Sequence, residues 1–274
     1  MFAAVISSAT VELATPFGAS RVQPSAYPNS IIVLGDSGAT GLHSDPDQPE
    51  KDATQNSWAT GDNPAVKSIY TRVLALHPAV RGHNANVAVD GTGVDQLGGQ
   101  VDQALAIEPR PDLFLIQTVA NDIRCDGSDP DNYALFAVTL EDVLRKISVG
   151  APQAKVFIVS GPWSTTKRYL SVAQHLPGAR ASNTGTGPCD LFSPAGEPVP
   201  AHQRYIEGIT QRYLDAVKSV CAKFRTCLYD HGALHNIAIT TADVTPDGYH
   251  LTVIGQRKQA ALEWRALALK GSRS

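Results

Sequence analysis

This sequence has little charge, no basic excess and no long apolar run, and each absence excludes a class of function. Lys and Arg number 23 against 26 Asp and Glu, a formal charge of −3, so a nucleic-acid groove built on general basicity is ruled out. No apolar stretch approaches the roughly 20 residues of a bilayer span, which rules out integral membrane contact. No Lys or Arg precedes Arg21, so the charged leader of a signal peptide is missing. Residues 1–29 are accordingly read as an N-terminal extension, the start of a mature or a truncated chain. No C-x-x-C motif links the four cysteines, Cys125, Cys189, Cys221 and Cys227, which disfavours a zinc cage. Four cysteines allow three disulfide pairings. Disulfides fit better than four reduced thiols, because Cys125 and Cys189 lie in Gly-, Pro- and Asp-rich stretches rather than apolar runs.

The sequence is rich instead in loop-forming residues. It has 22 Gly and 18 Pro, while 43% hydrophobic content excludes disorder. No repeat, low-complexity tract or linker divides the 274 residues, which read as a single domain. Short apolar runs ending in turn signals mark strands at Ile31–Leu34, Asn86–Val89, Leu113–Ile116 and Val156–Val159, with Cys227–Tyr229 a weaker fifth. Between them lie helical patterns. Phe136, Leu140, Val143, Leu144 and Ile147 share one face, as do Ile206, Ile209, Tyr213, Ala216, Val217 and Val220. Segments 65–76 and 251–269 are further helix candidates. The alternation predicts an α/β fold with a parallel sheet covered on both faces. Three long loops, near 41–63, 122–132 and 161–200, all follow the carboxyl ends of strands, where open parallel sheets bind ligands.

Chemistry-bearing residues stand at the same edge. Ser37, in Gly35-Asp36-Ser37-Gly38, follows the first strand and opens a turn into a helix, a placement that favours developing negative charge. Asp247 and His250 lie three apart before the last helix, so the carboxylate can accept from imidazole Nδ1 and leave Nε2 free to take a serine proton. Gly91 follows the second strand and Asn121 the third; a glycine N–H and an asparagine amide are the donors that a tetrahedral oxyanion needs. Taken singly, each has an ordinary explanation as a turn, cap or surface residue. Their joint occurrence after successive strands is the stronger signal.

These blocks resemble the SGNH hydrolases, the GDSL esterase/lipase family, from about Ile31 to the C-terminal helix. The resemblance implies a flavodoxin-like three-layer α/β/α sandwich with a five-stranded parallel sheet. It implies a Ser37–His250–Asp247 triad and an oxyanion hole from the Ser37 and Gly91 amides and the Asn121 side chain. Two positions depart from the pattern: Gly38 replaces a leucine, and Ala120 stands where a glycine usually precedes the asparagine. Asn56-Ser57-Trp58 and the Cys125 and Cys189 neighbourhoods look like secreted bacterial members, which implies Cys125–Cys189 and Cys221–Cys227 disulfides and an extracellular location. The expected activity is hydrolysis of short- to medium-chain carboxylic esters through an acyl-enzyme, with carbohydrate acetyl esterase or lipase or phospholipase activity as the alternatives. A non-catalytic binding relative is the more distant rival.

No cofactor or metal is expected, and the partner is an ester substrate met by a monomer. Gly35, Gly38 and Gly41 lack the G-x-G-x-x-G spacing of a dinucleotide site. His231 and His235 lack the glutamate of H-E-x-x-H. Asp45, Asp47, Glu50 and Asp52, like Asp126, Asp129 and Asp131, read as solvated loops. Trp58, Trp163, Tyr169, Leu170 and Phe192 lie in the long loops and are candidate pocket residues.

Overall fold

A computed structural model describes residues 27–269, so most of the extension expected over 1–29 lies outside the described residues. Five strands form one all-parallel sheet: β1 (Ile31–Gly35), β2 (Asn84–Asn86), β3 (Leu113–Gln117), β4 (Lys155–Val159) and β5 (Cys227–Tyr229). Their order is β2-β1-β3-β4-β5, the flavodoxin-like order whose switch point lies between β1 and β3. β1 and β3 pair over their whole length, from Ile31 opposite Leu113 to Gly35 opposite Gln117.

The helices are α1 (Ser37–Thr40), α2 (Ile69–Leu76), α3 (Leu97–Ile107), α4 (Asp129–Gly150), α5 (Lys167–Ala173), α6 (Pro177–Ser182), α7 (Pro200–Cys221) and α8 (Val253–Leu267). Because the central strands are apolar on both faces, they need cover on both, and two core clusters supply it. Ile31, Val33, Leu113, Leu115, Phe157 and Val159 pack with residues of α2 and α8. Ile32, Leu34, Phe114, Ile116, Val156 and Ile158 pack with residues of α3, α4 and α7. Each fully buried aliphatic side chain contributes about 1.5–3 kcal/mol.

The run Val87–Val89 does not form the core of the second strand. β2 ends at Asn86, although the Val87 and Val89 amides still donate to the Val33 and Gly35 carbonyls. This strand is at the sheet's edge, so its half-buried Asn84-Ala85-Asn86 tolerates polar side chains, and Val89 is 53% exposed. Asp129 is likewise not a solvated loop residue. It is fully buried and accepts hydrogen bonds from the Arg124 and Cys125 amides and the Tyr213 hydroxyl. These bonds knot the loop after β3 to the start of α4. The 161–200 segment is more ordered than its Gly and Pro content predicts, since it contains α5 and α6.

Two disulfides pair Cys125 with Cys189 and Cys221 with Cys227, as the family resemblance implied. The first ties the loop after β3 to the 161–200 segment. Among the described residues no helix is long and apolar enough to cross a membrane.

Candidate active site

β1 ends at Gly35 with φ of +137°, a conformation closed to other residues here because an added Cβ would lie 2.0 Å from the Gln117 carbonyl oxygen. The chain then turns at once into α1. Asp36 caps that helix, its carboxylate accepting from the Gly38 amide at 3.0 Å, and Ser37 is the first helical residue. The Ser37 side chain meets His250, whose Nε2 stands 2.8 Å from Ser37 Oγ. On the ring's other side Nδ1 is hydrogen-bonded to Asp247 Oδ2.

The Asp247–His250 turn is fixed by its own polar groups. Asp247 Oδ1 accepts from the Thr245 hydroxyl and the Tyr249 amide, and the Thr245 amide donates to the His250 carbonyl at 2.9 Å. Gly248, with φ of +87°, lets the turn close against α6. Partial burial would raise the Asp247 carboxyl, but hydrogen bonds from His250 and Thr245 outweigh it and hold the group well below the usual carboxylate range. Asp247 is therefore the anion that keeps the imidazole proton on Nδ1 and leaves Nε2 the acceptor facing the serine. A hydroxyl, an imidazole and a carboxylate in this chain are the parts that activate an alcohol as a nucleophile.

Asn121 lines the same cleft, and its side-chain amide donates to the Thr92 carbonyl at 3.1 Å. That bond orients the side chain and uses one of its two N–H donors. The turn into Asn121 passes through Val119 at φ of +90°, an uncommon conformation for a β-branched residue. Asp122 holds it there, accepting from the Val119 amide and the Thr118 hydroxyl. Asp122 also accepts from the Val94 amide at 2.9 Å, which joins this turn to the loop after β2. In that loop Asp90 lines the cleft, while Gly91 stands beside it on an exposed turn with φ of +72°.

The cleft has a volume of about 470 Å³ and also exposes Gln117, Trp163, Asn183, the Cys125–Cys189 disulfide and Tyr249. Of the five aromatic and apolar residues expected in the pocket, Trp163 is in its lining. Trp58, Tyr169, Leu170 and Phe192 lie behind it. Burial of a large ring against the core outweighs its use as a pocket wall. Trp58 is fully buried and donates its indole N–H to Gln117 at 2.7 Å. Tyr169 donates its hydroxyl to the Gly248 carbonyl at 2.7 Å, bracing the turn that carries Asp247 and His250. Phe192 is fully buried under the Arg180 guanidinium, and Leu170 packs on the same core.

Several polar residues around Ser37 are given no role at the site by the sequence pattern. Gln100 exchanges two hydrogen bonds with the Gly35 backbone and a third with the Thr92 hydroxyl. Gln117 accepts from Trp58 and from Gln259, and Gln256 accepts from the Trp58 amide. Asp36 is fully buried, with one oxygen lacking a hydrogen-bond partner, and burial pushes its carboxyl up to about 7. His43 lies against the site from the loop after α1, its Nε2 3.6 Å from Asp247 Oδ2 and its ring edge-on to His250. Nothing in the local pattern distinguishes Gln100 and Gln256 from ordinary helix residues, Gln117 from an ordinary strand end, or His43 from the other seven histidines. His231 and His235 share no site: His231 is exposed, and His235 is buried against the Pro162 carbonyl.

The fold has many solved relatives at low sequence identity. An extracellular lipase from Streptomyces rimosus matches at 15% identity and a TM-score of 0.54, over 86% of this chain and 99% of that one. Phospholipase A1 from Streptomyces albidoflavus NA297 matches at 15% and 0.53, over 86% and 98%. A variant of Axe2, an acetyl xylan esterase from Geobacillus stearothermophilus, matches at 14% and 0.50, over 89% and 97%. At these identities the likeness concerns the fold alone. No curated protein sequence matches the chain. The family model of the GDSL-like lipases and acylhydrolases matches residues 33–258, from the middle of β1 into α8, and the chain belongs to that family.

Proposed function

We propose that this acylhydrolase is a serine esterase that cleaves short- to medium-chain carboxylic esters through an acyl-enzyme on Ser37. The observation that carries the reading is the hydrogen-bonded chain from Ser37 Oγ through His250 to Asp247. His250 Nε2 takes the hydroxyl proton as Ser37 attacks the ester carbonyl, and Asp247 stabilises the imidazolium so formed. The Ser37 amide, the free N–H of the Asn121 side chain and the Gly91 amide supply donors to the tetrahedral oxyanion. His250 then returns the proton to the leaving alcohol, and water repeats the sequence to release the acid. Two disulfides support action in an oxidising, extracellular setting.

A second reading, an acetyl esterase acting on carbohydrate, is favoured by polar groups that the cleft presents. Asp90 and Asp190 line it, and Tyr249 lines it while remaining 41% exposed; such groups hydrogen-bond and stack with sugars. A panel of p-nitrophenyl esters from acetyl to palmitoyl, run beside acetylated glycans, separates the two. The proposal expects turnover that is highest on short or medium acyl chains and lost in Ser37→Ala. Activity confined to acetylated glycans favours the second reading, and turnover that survives Ser37→Ala overturns both.

A further inference from the structure

His43 faces the carboxylate of Asp247 in a way that a hydrogen bond does not explain. Its Nδ1 is bonded to the Pro49 carbonyl, which only accepts, so Nδ1 carries the proton. In the neutral ring Nε2 then presents a lone pair, and what it faces at 3.6 Å is another acceptor, Asp247 Oδ2. The pair is too far apart for a hydrogen bond and lies in the range of two donors to one metal ion: atoms about 2.0–2.1 Å from a tetrahedral centre are roughly 3.3 Å apart. His250 completes the group. One ligand atom each from His43, Asp247 and His250 lies within 4.8 Å of the others, and all three side chains are partly accessible to solvent. A histidine whose far nitrogen donates to a backbone carbonyl has the supporting arrangement typical of a metal ligand.

We propose that His43, Asp247 and His250 form a site for a borderline divalent cation, of the Zn²⁺, Co²⁺ or Cu²⁺ class, which inhibits the enzyme reversibly. Two imidazoles and one carboxylate suit these ions and not Ca²⁺ or Mg²⁺. Inhibition follows whichever His250 nitrogen binds. Coordination at Nε2 occupies the lone pair that the serine proton needs. Coordination at Nδ1 moves the ring proton to Nε2 and leaves no acceptor toward Ser37. This consequence rests on the esterase reading above, whereas the binding itself does not.

The test pairs two measurements on the full chain stripped with EDTA: calorimetric titration with ZnCl₂, and p-nitrophenyl acetate hydrolysis with each variant compared to its own metal-free rate. The site predicts one tight Zn²⁺ per chain, inhibition that tracks occupancy and is reversed by EDTA, and affinity weakened more than about tenfold in His43→Ala. Co²⁺ titration, followed by its visible absorption, distinguishes imidazole ligation in wild type from its loss in the variant and reports on sites without reference to activity. His83→Ala is the control for surface binding, since His83 is exposed and pairs with Glu108 away from this cluster. Equal Zn²⁺ affinity in wild type and His43→Ala, or no stoichiometric binding, overturns the site. Binding through His43 without inhibition overturns the proposed consequence. A metal-free enzyme inactive on every ester counts against the esterase reading, while the calorimetric arm still decides the site.

Discussion

The side chain of Gln117 occupies the space that a Cβ at Gly38 would need, its amide nitrogen lying 1.9 Å from that position. Gln117 is held in place by the Trp58 indole and by Gln259, so it cannot swing aside without giving up both bonds. This accounts for the glycine where the family resemblance leads one to expect a leucine. Gly38→Ala is expected to cost about 1–3 kcal/mol by overpacking. Combined with Gln117→Ala, the penalty should be less than additive, with a coupling of about 0.5–3 kcal/mol in urea denaturation of the full mutant cycle. Strict additivity would mean that the two positions do not compete for space.

Asp247→Asn tests the carboxylate's role in holding the imidazole. An amide can present its N–H to Nδ1, which places the ring proton on Nε2 and deprives Ser37 of a base. Turnover at neutral pH is expected to fall about 10⁴-fold with the fold intact. The comparison of kcat with circular dichroism checks it, and a variant with near-native kcat would remove Asp247 from the relay.

Asp36 makes stability depend on pH with a definite sign. Burial lifts its carboxyl from the ordinary 3.8 to about 7, against the pull of the Gly38 amide and of His250. Between those values the folded chain keeps a proton that the unfolded chain has released. Its contribution to stability therefore declines as pH rises through that window. Asp36→Asn retains an oxygen for the Gly38 amide and removes the titration. The urea midpoint of the wild type should fall more steeply than that of the variant from about pH 4 to pH 7. Parallel profiles would show that Asp36 is ionised across the range.

The two disulfides should differ in worth. Cys125 and Cys189 are 64 residues apart and Cys221 and Cys227 six, so chain entropy assigns about 4 kcal/mol to the first and about 2 kcal/mol to the second. Cys125 and Cys189 also line the cleft. Replacing that pair by alanines should lower the urea midpoint more than replacing Cys221 and Cys227, and should also raise KM. Equal effects of the two replacements would contradict the entropic ranking.

What could be read in advance divides along physical lines. Strands β1, β3 and β4 were legible because a strand buried on both faces is a short apolar run closed by a turn residue. β2 was displaced, because an edge strand has no second neighbour to demand apolar side chains. Ser37, Asn121, Asp247 and His250 were legible because each sits next to a strand end or helix start within a short motif. Gln100, Gln117, Gln256 and Gln259 were not. A glutamine on a buried face interrupts the apolar pattern without indicating what it will bind, and its partners come from distant segments. The same holds for His43, whose approach to Asp247 depends on the path of a loop about 200 residues earlier in the chain. Trp58, Tyr169 and Phe192 show the opposite error: aromatic residues in long loops suggested a pocket, and their large apolar area instead anchors those loops to the core.

Labelling of the serine itself tests whether Ser37 is a nucleophile activated by His250. The most direct measurement is intact-protein and peptide mass spectrometry after incubation with a fluorophosphonate, on the wild type, Ser37→Ala and His250→Ala. One adduct per chain is expected, located on Ser37, absent in Ser37→Ala and formed far more slowly in His250→Ala. A wild type that does not label, or an adduct that persists in Ser37→Ala, would contradict it.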